Sequence, residues 1–148
     1  GVVFHGEFGG GAKLLLDGFM NKRGINPNFK DTYLQNIFNF AMKVREAESN
    51  NDPSADASVL HGPGFTGLGV YQFTKPSVGT TRRSARNVAK QYNVDINAIQ
   101  NILDNMSWDP TEWNDEQADL MFLSHFMTRK GSEWYLDQIG KGNKKAEL

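Results

Sequence analysis

The chain has no cysteine among its 148 residues. Disulfides, a thiol nucleophile and thiolate metal ligands are therefore excluded, and with them the cysteine peptidases. Its three histidines, His5, His61 and His125, lie far apart and lack the spacing of zinc-binding motifs. A phosphate-binding loop of the Walker type is also missing. The sequence thus predicts neither a metal site nor a cofactor.

An excess of one charge and long apolar runs are missing too. Sixteen basic residues balance 17 acidic ones to a net charge of -1, which argues against a nucleic-acid-binding domain. The basic group Arg82, Arg83, Arg86 and Lys90 is typical of a solvated helix face. No apolar stretch approaches the roughly 20 residues of a membrane helix, so we expect no membrane insertion.

What the chain does contain is enough apolar material for one compact domain. Hydrophobic residues make up 39% of it, with ten Phe, three Trp and four Tyr to fill a core. Residues 1–30 carry seven glycines and a single apolar block around Leu14. They are predicted to form a loop-rich lead-in with one short element. Residues 31–148 are predicted to form the domain proper.

Apolar residues at three- and four-residue steps predict helices at about 32–48, 79–91, 95–104 and 115–129, and from Ser132 onward. Asp31, Asp95 and Asn114 are the expected N-caps, and Gln117 gives the last of these a capping-box spacing. The final helix is expected to bury Trp134 and Ile139.

Between these helices, residues 50–69 are rich in Asn, Asp, Ser, Pro and Gly, a composition typical of a loop or a short hairpin. A brief apolar element, Val70–Phe73, follows them. The predicted class is therefore α+β and mainly helical, with a small β or loop lobe beside the helices.

Glu48 lies on the apolar face of the first of these helices. At about 100° per residue, four apolar residues fall within about 80° of one another, and Glu48 falls inside that stripe; the four are Leu34, Ile37, Ala41 and Val44. Burial and the negative end of the helix both favour a carboxylic acid that keeps its proton, as a glycosidase general acid must. If the helix instead ends near Arg45, Glu48 is a solvated loop residue; helical spacing is compatible with both.

The residues after Glu48 form a more specific pattern. The Glu48-Ser49 pair is followed by an Asn-Asp-Pro turn, and glycines then lead into the run Gly69-Val70-Tyr71-Gln72-Phe73-Thr74. Over about residues 34–76 this resembles the lysozyme-like superfamily, in particular bacteriophage tail lysozymes and lytic transglycosylases. The resemblance implies a lysozyme-like fold with a glycan cleft, with Glu48 as the catalytic acid. It also implies that Ser49 gives hydrogen-bonding support and that Tyr71, Gln72 and Phe73 line the cleft.

A second carboxylate is harder to identify. Asp52 and Asp56, both in the loop, are the candidates to contact substrate, although Asp52 precedes Pro53 and is typical of a turn former. The sequence lacks the Glu, Asp and Thr spacing of inverting phage lysozymes. This favours Glu48 acting alone to form a 1,6-anhydro sugar, whereas the resemblance to tail lysozymes favours water as the acceptor. Both outcomes stay open.

Together these features predict a muramidase that cleaves the β-1,4 bond between N-acetylmuramic acid and N-acetylglucosamine in peptidoglycan. The expected partners are glycan strands of the bacterial cell wall and, from the resemblance, other phage tail proteins. The expected location is the phage tail in the virion, or the bacterial periplasm and cell wall after release. The alternative is a non-catalytic glycan-binding or structural tail component of the same fold.

Overall fold

A computed structural model describes residues 4–143; the ends of the predicted lead-in and domain, residues 1–3 and 144–148, lie outside the described residues. The α-helices are α1 (Gly10–Arg23), α2 (Lys30–Ser49), α3 (Ala57–His61), α4 (Lys75–Gln91), α5 (Ile96–Asp104), α6 (Asp115–Met127) and α7 (Ser132–Gly140). Short 3-10 helices at Pro27–Phe29 and Pro110–Glu112 precede α2 and α6. The prediction of a mainly helical protein is confirmed.

The predicted β lobe is reduced to a loop with two isolated bridges. Asp56 pairs with Leu68, and Leu68 pairs with Phe73, but no strand forms between residues 4 and 143. Glycine and proline between residues 50 and 69 prevent a longer ladder, because they favour turns over extended backbone. The brief element predicted at Val70–Phe73 is likewise a turn. The β part of the predicted class is therefore not confirmed.

Helix α1 corrects the prediction that the first 30 residues are rich in loops. Its buried apolar face comprises Leu15, Leu16, Phe19 and Met20. The glycines that suggested a loop serve close packing instead: a Cβ on Gly11 would lie 2.6 Å from Ile102 Cδ1, and one on Gly18 2.7 Å from the Tyr92 carbonyl oxygen. Glycine within a helix costs about 1 kcal/mol, less than the burial of one large apolar side chain contributes.

Helix α2 extends through Glu48, so the alternative that it ends near Arg45 is wrong. Asn50 follows as the C-cap with φ 53°, and Asn51 is also left-handed with φ 59°. Their amides donate to the carbonyls of Glu46 at 2.9 Å and Arg45 at 3.1 Å. Asparagine adopts this conformation more readily than other residues with a Cβ, which explains where the helix ends.

The N-cap of α2 differs from the prediction. Phe29 occupies the cap without a side-chain hydrogen bond, and Asp31 lies inside the first turn. The 3-10 helix just before α2 already gives the backbone a helical conformation, so no extended capping residue is needed. Asp31 still meets the positive end of the helix there.

The later helices agree better with the prediction from sequence. Asp95 caps α5, and Asn114 with Gln117 forms the expected capping box of α6. Helix α4 begins earlier than predicted because Pro76 fits its first turn, where its missing N–H costs nothing. In α7 Ile139 is buried as expected, but Trp134 is 60% exposed, so the prediction of a buried Trp134 is wrong.

Helix α6 lies at the centre of the helical body. It packs against α1 and α4, while α2 packs against α7 and α4 against α5. Buried residues of α1, α2, α4, α5, α6 and α7 belong to one hydrophobic core. None of the helices between residues 4 and 143 has the length and apolar character needed to cross a membrane.

Candidate functional site

Glu48 opens onto a cleft of about 500 Å³. One wall is the end of α2, with Phe40 and Val44, and the other is the end of α6, with Phe122, His125, Phe126 and the following Arg129. The loop residues 71–74 and Ser77 of α4 complete the lining. The structure thus brings together four of the predicted site residues: Glu48, Tyr71, Gln72 and Phe73.

The carboxyl group of Glu48 is exposed in this cleft. Val44, one turn earlier, is half-buried, so the apolar stripe of α2 leaves the core before it reaches Glu48. Helical phase therefore gave the correct face, but the prediction of a buried carboxyl is wrong. No side chain among residues 4–143 forms a hydrogen bond or an ion pair with Glu48. Its oxygens are available to a ligand.

Ser49 lies behind the cleft wall and joins the helix to the loop. Its Oγ is 2.8 Å from the Val70 carbonyl oxygen and 3.1 Å from that of Arg45. The hydroxyl donates to one of these carbonyls while lying between both. Ser49 therefore fixes the start of the Tyr71-Gln72 segment beside Glu48, and it is absent from the cleft lining that the structure describes.

A tight turn presents Gln72 and Phe73 to the cleft. Leu68 and Phe73 exchange both backbone hydrogen bonds, at 2.8 and 3.0 Å, and close the turn between them. Gly69 and Gln72 have φ angles of 75° and 56°, and the Gln72 side-chain amide donates to the Gly69 carbonyl at 2.9 Å. Phe73 meets the ring of His125 edge-on across the cleft lining, with centroids 6.0 Å apart.

Tyr71 turns its hydroxyl away from the cleft. That hydroxyl donates to Asp119 Oδ1 at 2.6 Å, and the ring stacks on Phe122 at 4.4 Å with an interplanar angle of 6°. Burial, followed by the charge of Asp119, raises the pKa of Tyr71. Tyr71 is therefore a neutral ring in the cleft wall, and its hydroxyl, which donates to Asp119, does not serve as a proton donor to substrate.

Arg45 lies at the centre of a buried network that supports this wall. Its guanidinium donates to Asn51 Oδ1 at 2.7 Å, Asp119 Oδ1 at 3.2 Å and Asp115 Oδ1 at 2.6 Å. Burial lowers the pKa of Arg45, but the hydrogen bond to Asp115 and the charge of Asp119 raise it more. Arg45 was not among the predicted site residues. Its helical phase, about 20° from Leu34, would have placed it in the apolar stripe.

Asp52 and Asp56 do not reach the cleft. Asp52 Oδ1 accepts from the amide and hydroxyl of Ser54, at 2.9 and 2.8 Å. Asp56 caps α3 in the same manner, accepting from the amide and hydroxyl of Ser58 at 2.9 and 2.6 Å. These hydrogen bonds lower the pKa of both carboxyls. Among the described residues that line the cleft, Glu48 is the only carboxylate.

His125 and Arg129 form the polar end of the cleft. Arg129 Nη2 is 3.1 Å from His125 Nε2, and the two residues are one helical turn apart. Partial desolvation, followed by the charge of Arg129, lowers the pKa of His125. The ring is therefore neutral at pH 7, and its Nε2 accepts from the guanidinium. This pair was not among the predicted site residues, because only tertiary folding brings it near Glu48.

No group of three or more His, Cys, Asp or Glu between residues 4 and 143 could hold a metal ion. Comparison of the chain with protein-family models, with curated proteins and with solved structures finds no match. A functional assignment therefore depends on the cleft and on the resemblance carried by residues 34–76.

Proposed function

We propose that this protein is a peptidoglycan-degrading muramidase, with Glu48 as the general acid that cleaves the β-1,4 bond between N-acetylmuramic acid and N-acetylglucosamine. The observation that carries the proposal is an unpaired glutamate at a helix end, facing Tyr71 and Gln72 in one cleft. Binding clefts of roughly 300–1,000 Å³ combine apolar walls with a few polar groups, and this cleft has that composition.

The presence of a single carboxylate in the described cleft lining favours cleavage in which water is not the acceptor. Two-carboxylate glycosidases place their partners about 5–9.5 Å apart, and the described lining of this cleft offers Glu48 alone. Glu48 donates its proton to the glycosidic oxygen as the bond from that oxygen to muramyl C1 breaks. The resulting carboxylate accepts the proton of the muramyl C6 hydroxyl as that oxygen bonds to C1. A 1,6-anhydro sugar forms and the acid is regenerated.

The cleft walls support this chemistry. Phe40, Phe122 and Phe126 supply apolar surface around the carboxyl. A sugar bound over Glu48 would displace water from these walls, and the exclusion of water strengthens the electrostatic interactions inside the cleft. Gln72 offers an amide to sugar hydroxyls beside it.

The biological setting follows from the resemblance to bacteriophage tail lysozymes. We place the enzyme in the phage tail, where it would open the cell wall during entry alongside other tail proteins. Release into the bacterial periplasm at lysis is the other setting in which a muramidase meets its substrate. Purified virions separate the two settings. If the enzyme belongs to the tail, zymography of the virions shows a clearing band, and an antibody against this chain detects the chain in that band.

Glu48→Gln tests the acid directly. The change keeps side-chain size while removing the acid, and we expect wall-clearing activity to fall at least about 100-fold. Because Glu48 is exposed and unpaired, the free energy of unfolding should not change. Glu46→Gln is the matched control: Glu46 is two residues away and exposed, but outside the cleft lining. Turbidity of a cell-wall suspension measures both variants.

Mass spectrometry of the digest identifies the bond that is cut. A muramidase gives disaccharide-peptides, and the anhydro product is lighter by one water than the hydrolysis product. Cleavage of the bond between muramic acid and L-alanine would overturn the proposal. So would wild-type activity in the Glu48→Gln protein.

The exposure of Glu48 favours one alternative. In the described structure this carboxyl is exposed rather than enclosed by apolar side chains, so a non-catalytic glycan-binding or structural tail component of the same fold is the second candidate. If the unmutated protein sediments with cell walls but never lowers their turbidity, this alternative is correct.

A further inference from the structure

A second groove adjoins the cleft at Arg129. This groove has a volume of about 570 Å³, and its lining includes Arg23, Glu133 and Trp134. Arg129 lines both the cleft of Glu48 and this groove. The two depressions therefore meet at Arg129, where a chain molecule could extend from one to the other.

Trp134 is the main apolar feature of the groove. Its indole is 60% exposed in the first turn of α7. A row of rings links it to the cleft: Trp134 and Tyr135 have centroids 6.3 Å apart, and Tyr135 and Phe126 6.1 Å apart. Phe126 lines the cleft itself. The rings near Glu48 are thus linked through Tyr135 to an exposed ring that can stack on a ligand.

The charges along the groove leave one cation without a carboxylate. Arg23 bonds Asp137 at 3.3 Å, and Glu133 accepts from the hydroxyl of Tyr92 at 2.6 Å. Arg129, by contrast, bonds the neutral ring of His125, and no carboxylate among residues 4–143 pairs with it. Its guanidinium is free to bind an anionic group at the point where the groove meets the cleft.

We propose that Trp134 and Arg129 form a distal subsite for the same glycan strand that reacts at Glu48. The indole stacks on the apolar face of a sugar ring, and the guanidinium pairs with a carboxylate on a muramyl substituent. A polymer is the occupant because it can fill both grooves at once, whereas a small ligand fills one. Alternation of sugar faces with carboxylates is the chemistry of an unsubstituted muramyl glycan. This subsite rests on the function proposed above.

Trp108 provides a matched control. It is also 60% exposed, but it lies outside the cleft and the groove and stacks under Arg82, whose guanidinium carbon is 5.0 Å from its ring. Replacing either tryptophan by alanine removes an exposed indole. Only Trp134→Ala should remove a sugar-stacking surface.

Binding is measured in the Glu48→Gln protein, so that substrate is not consumed. One probe is muramyl glycan strands freed of peptide by an amidase, which carry lactyl carboxylates, and the other is neutral chitin oligomers of matched length. We expect Trp134→Ala to weaken binding of long strands of both kinds about 10-fold, with disaccharide binding unchanged. Trp108→Ala should change neither, and Trp134→Phe should recover part of the loss.

Arg129→Gln tests the charge. It should weaken binding of the muramyl strands about fivefold and leave chitin binding unchanged, and the difference should disappear at high salt. Arg129→Lys should restore most of the lost binding to the muramyl strands. Equal losses for both probes, or Trp134→Ala behaving like Trp108→Ala, would overturn the subsite.

The two proposals fail separately. If the unmutated protein clears walls through Glu48 but the Trp134 and Arg129 variants bind normally, the subsite is wrong and the muramidase stands. If it binds long strands through Trp134 and Arg129 without cutting them, the subsite stands and the glycan-binding alternative replaces the enzyme. Absence of binding to both probes overturns the subsite and, with no wall clearing, the muramidase as well.

Discussion

Two buried aspartates anchor the two ends of α2, and only one of them lies behind the cleft. Near the start of the helix, the Tyr33 hydroxyl donates to Asp137 Oδ1 of α7 at 2.8 Å. Near its end, Arg45 bonds Asp119 of α6 at 3.2 Å, and Tyr71 bonds the same oxygen. Both aspartates are 2% exposed. The two sites differ in where their cations lie.

The cations of Asp137 reach solvent, whereas that of Asp119 does not. The side chains of Arg23 and Lys141 are 32% and 54% exposed, but that of Arg45 is 6% exposed. Burial raises the pKa of Asp137, but Lys141, Tyr33 and Arg23 lower it more, to below its ordinary value. For Asp119 burial prevails and raises the pKa. Because the buried Arg45 guanidinium cannot turn to water, the anchor behind the cleft is costlier to disturb than the anchor in the helical body.

The largest difference should come from removing each carboxyl. Asp119→Ala leaves the buried Arg45 with only the exposed Asp115 to pair with among the described carboxylates, and Tyr71 without an acceptor, so we expect a loss of about 3–5 kcal/mol of unfolding free energy. Asp137→Ala should cost about 1–3 kcal/mol, because its cations can turn to water. Urea unfolding measures both. Wall clearing, assayed well below the unfolding transition, should fall for Asp119→Ala alone; equal losses of stability would contradict the comparison.

The next effect concerns the turn that carries Gln72. A Cβ on Gly69, at φ 75°, would lie 2.6 Å from the Pro110 carbonyl oxygen, whereas one on Gly24, at φ 68°, would meet nothing within 4 Å. Gly24→Ala should therefore cost about 1 kcal/mol of backbone strain. Gly69→Ala should cost a further 1–3 kcal/mol or so from overpacking and displace Gln72. Thermal unfolding with the wall-clearing assay checks this, and identical melting temperatures would refute it.

A smaller effect isolates the two tyrosine hydroxyls. Tyr33→Phe and Tyr71→Phe each remove one hydrogen bond to a buried aspartate and should each cost about 1 kcal/mol of unfolding free energy. Their kinetic effects should differ: Tyr71→Phe loosens the ring beside Glu48 and should lower kcat/KM about 10-fold, while Tyr33→Phe leaves it unchanged. Wild-type kinetics in Tyr71→Phe would mean that the Asp119 bond plays no part in shaping the cleft.

The smallest expected effect is the pH dependence of the stability that Asp137, the anchor in the helical body, contributes. Because the pKa of Asp137 is lower in the folded state than in the unfolded chain, its contribution is present above about pH 4 and is lost as pH falls through the folded value. The stability gap between wild type and Asp137→Asn should therefore close on acidification. Denaturant midpoints between neutral and strongly acid pH measure this gap. A gap that widens on acidification would reverse the assigned sign.

The sequence revealed those parts of the fold that depend on local signals. The caps Asp95 and Asn114 were predictable because a capping side chain bonds an amide two or three residues away. Helix α1 was not, because the role of Gly11 and Gly18 depends on Ile102 and Tyr92, which are distant in sequence. The helical stripe showed the face of Glu48 but not its exposure, since that depends on what α6 leaves uncovered.

The candidate site likewise contains residues that the sequence could predict and residues that it could not. Glu48, Tyr71, Gln72 and Phe73 could be grouped by their resemblance to a known pattern. Asp52 and Asp56 were candidates for a second carboxylate because they are close to Glu48 in sequence. In the structure each accepts hydrogen bonds from the serine two residues later instead. His125 and Arg129 offered no spacing signal, because their position opposite Glu48 arises only when α2 and α6 pack in one body.

The end of α2 limits how this sequence can vary. Two consecutive left-handed residues, Asn50 and Asn51, follow the Glu-Ser pair, and Asn51 also accepts the Arg45 hydrogen bond. A saturation library read by wall clearing should therefore accept glycine and aspartate at position 50. At position 51 it should accept aspartate and reject glycine, which has no acceptor for Arg45. A two-residue requirement of this kind, directly after Glu48 and Ser49, gives a signature by which distant relatives could be found when overall sequence identity is low.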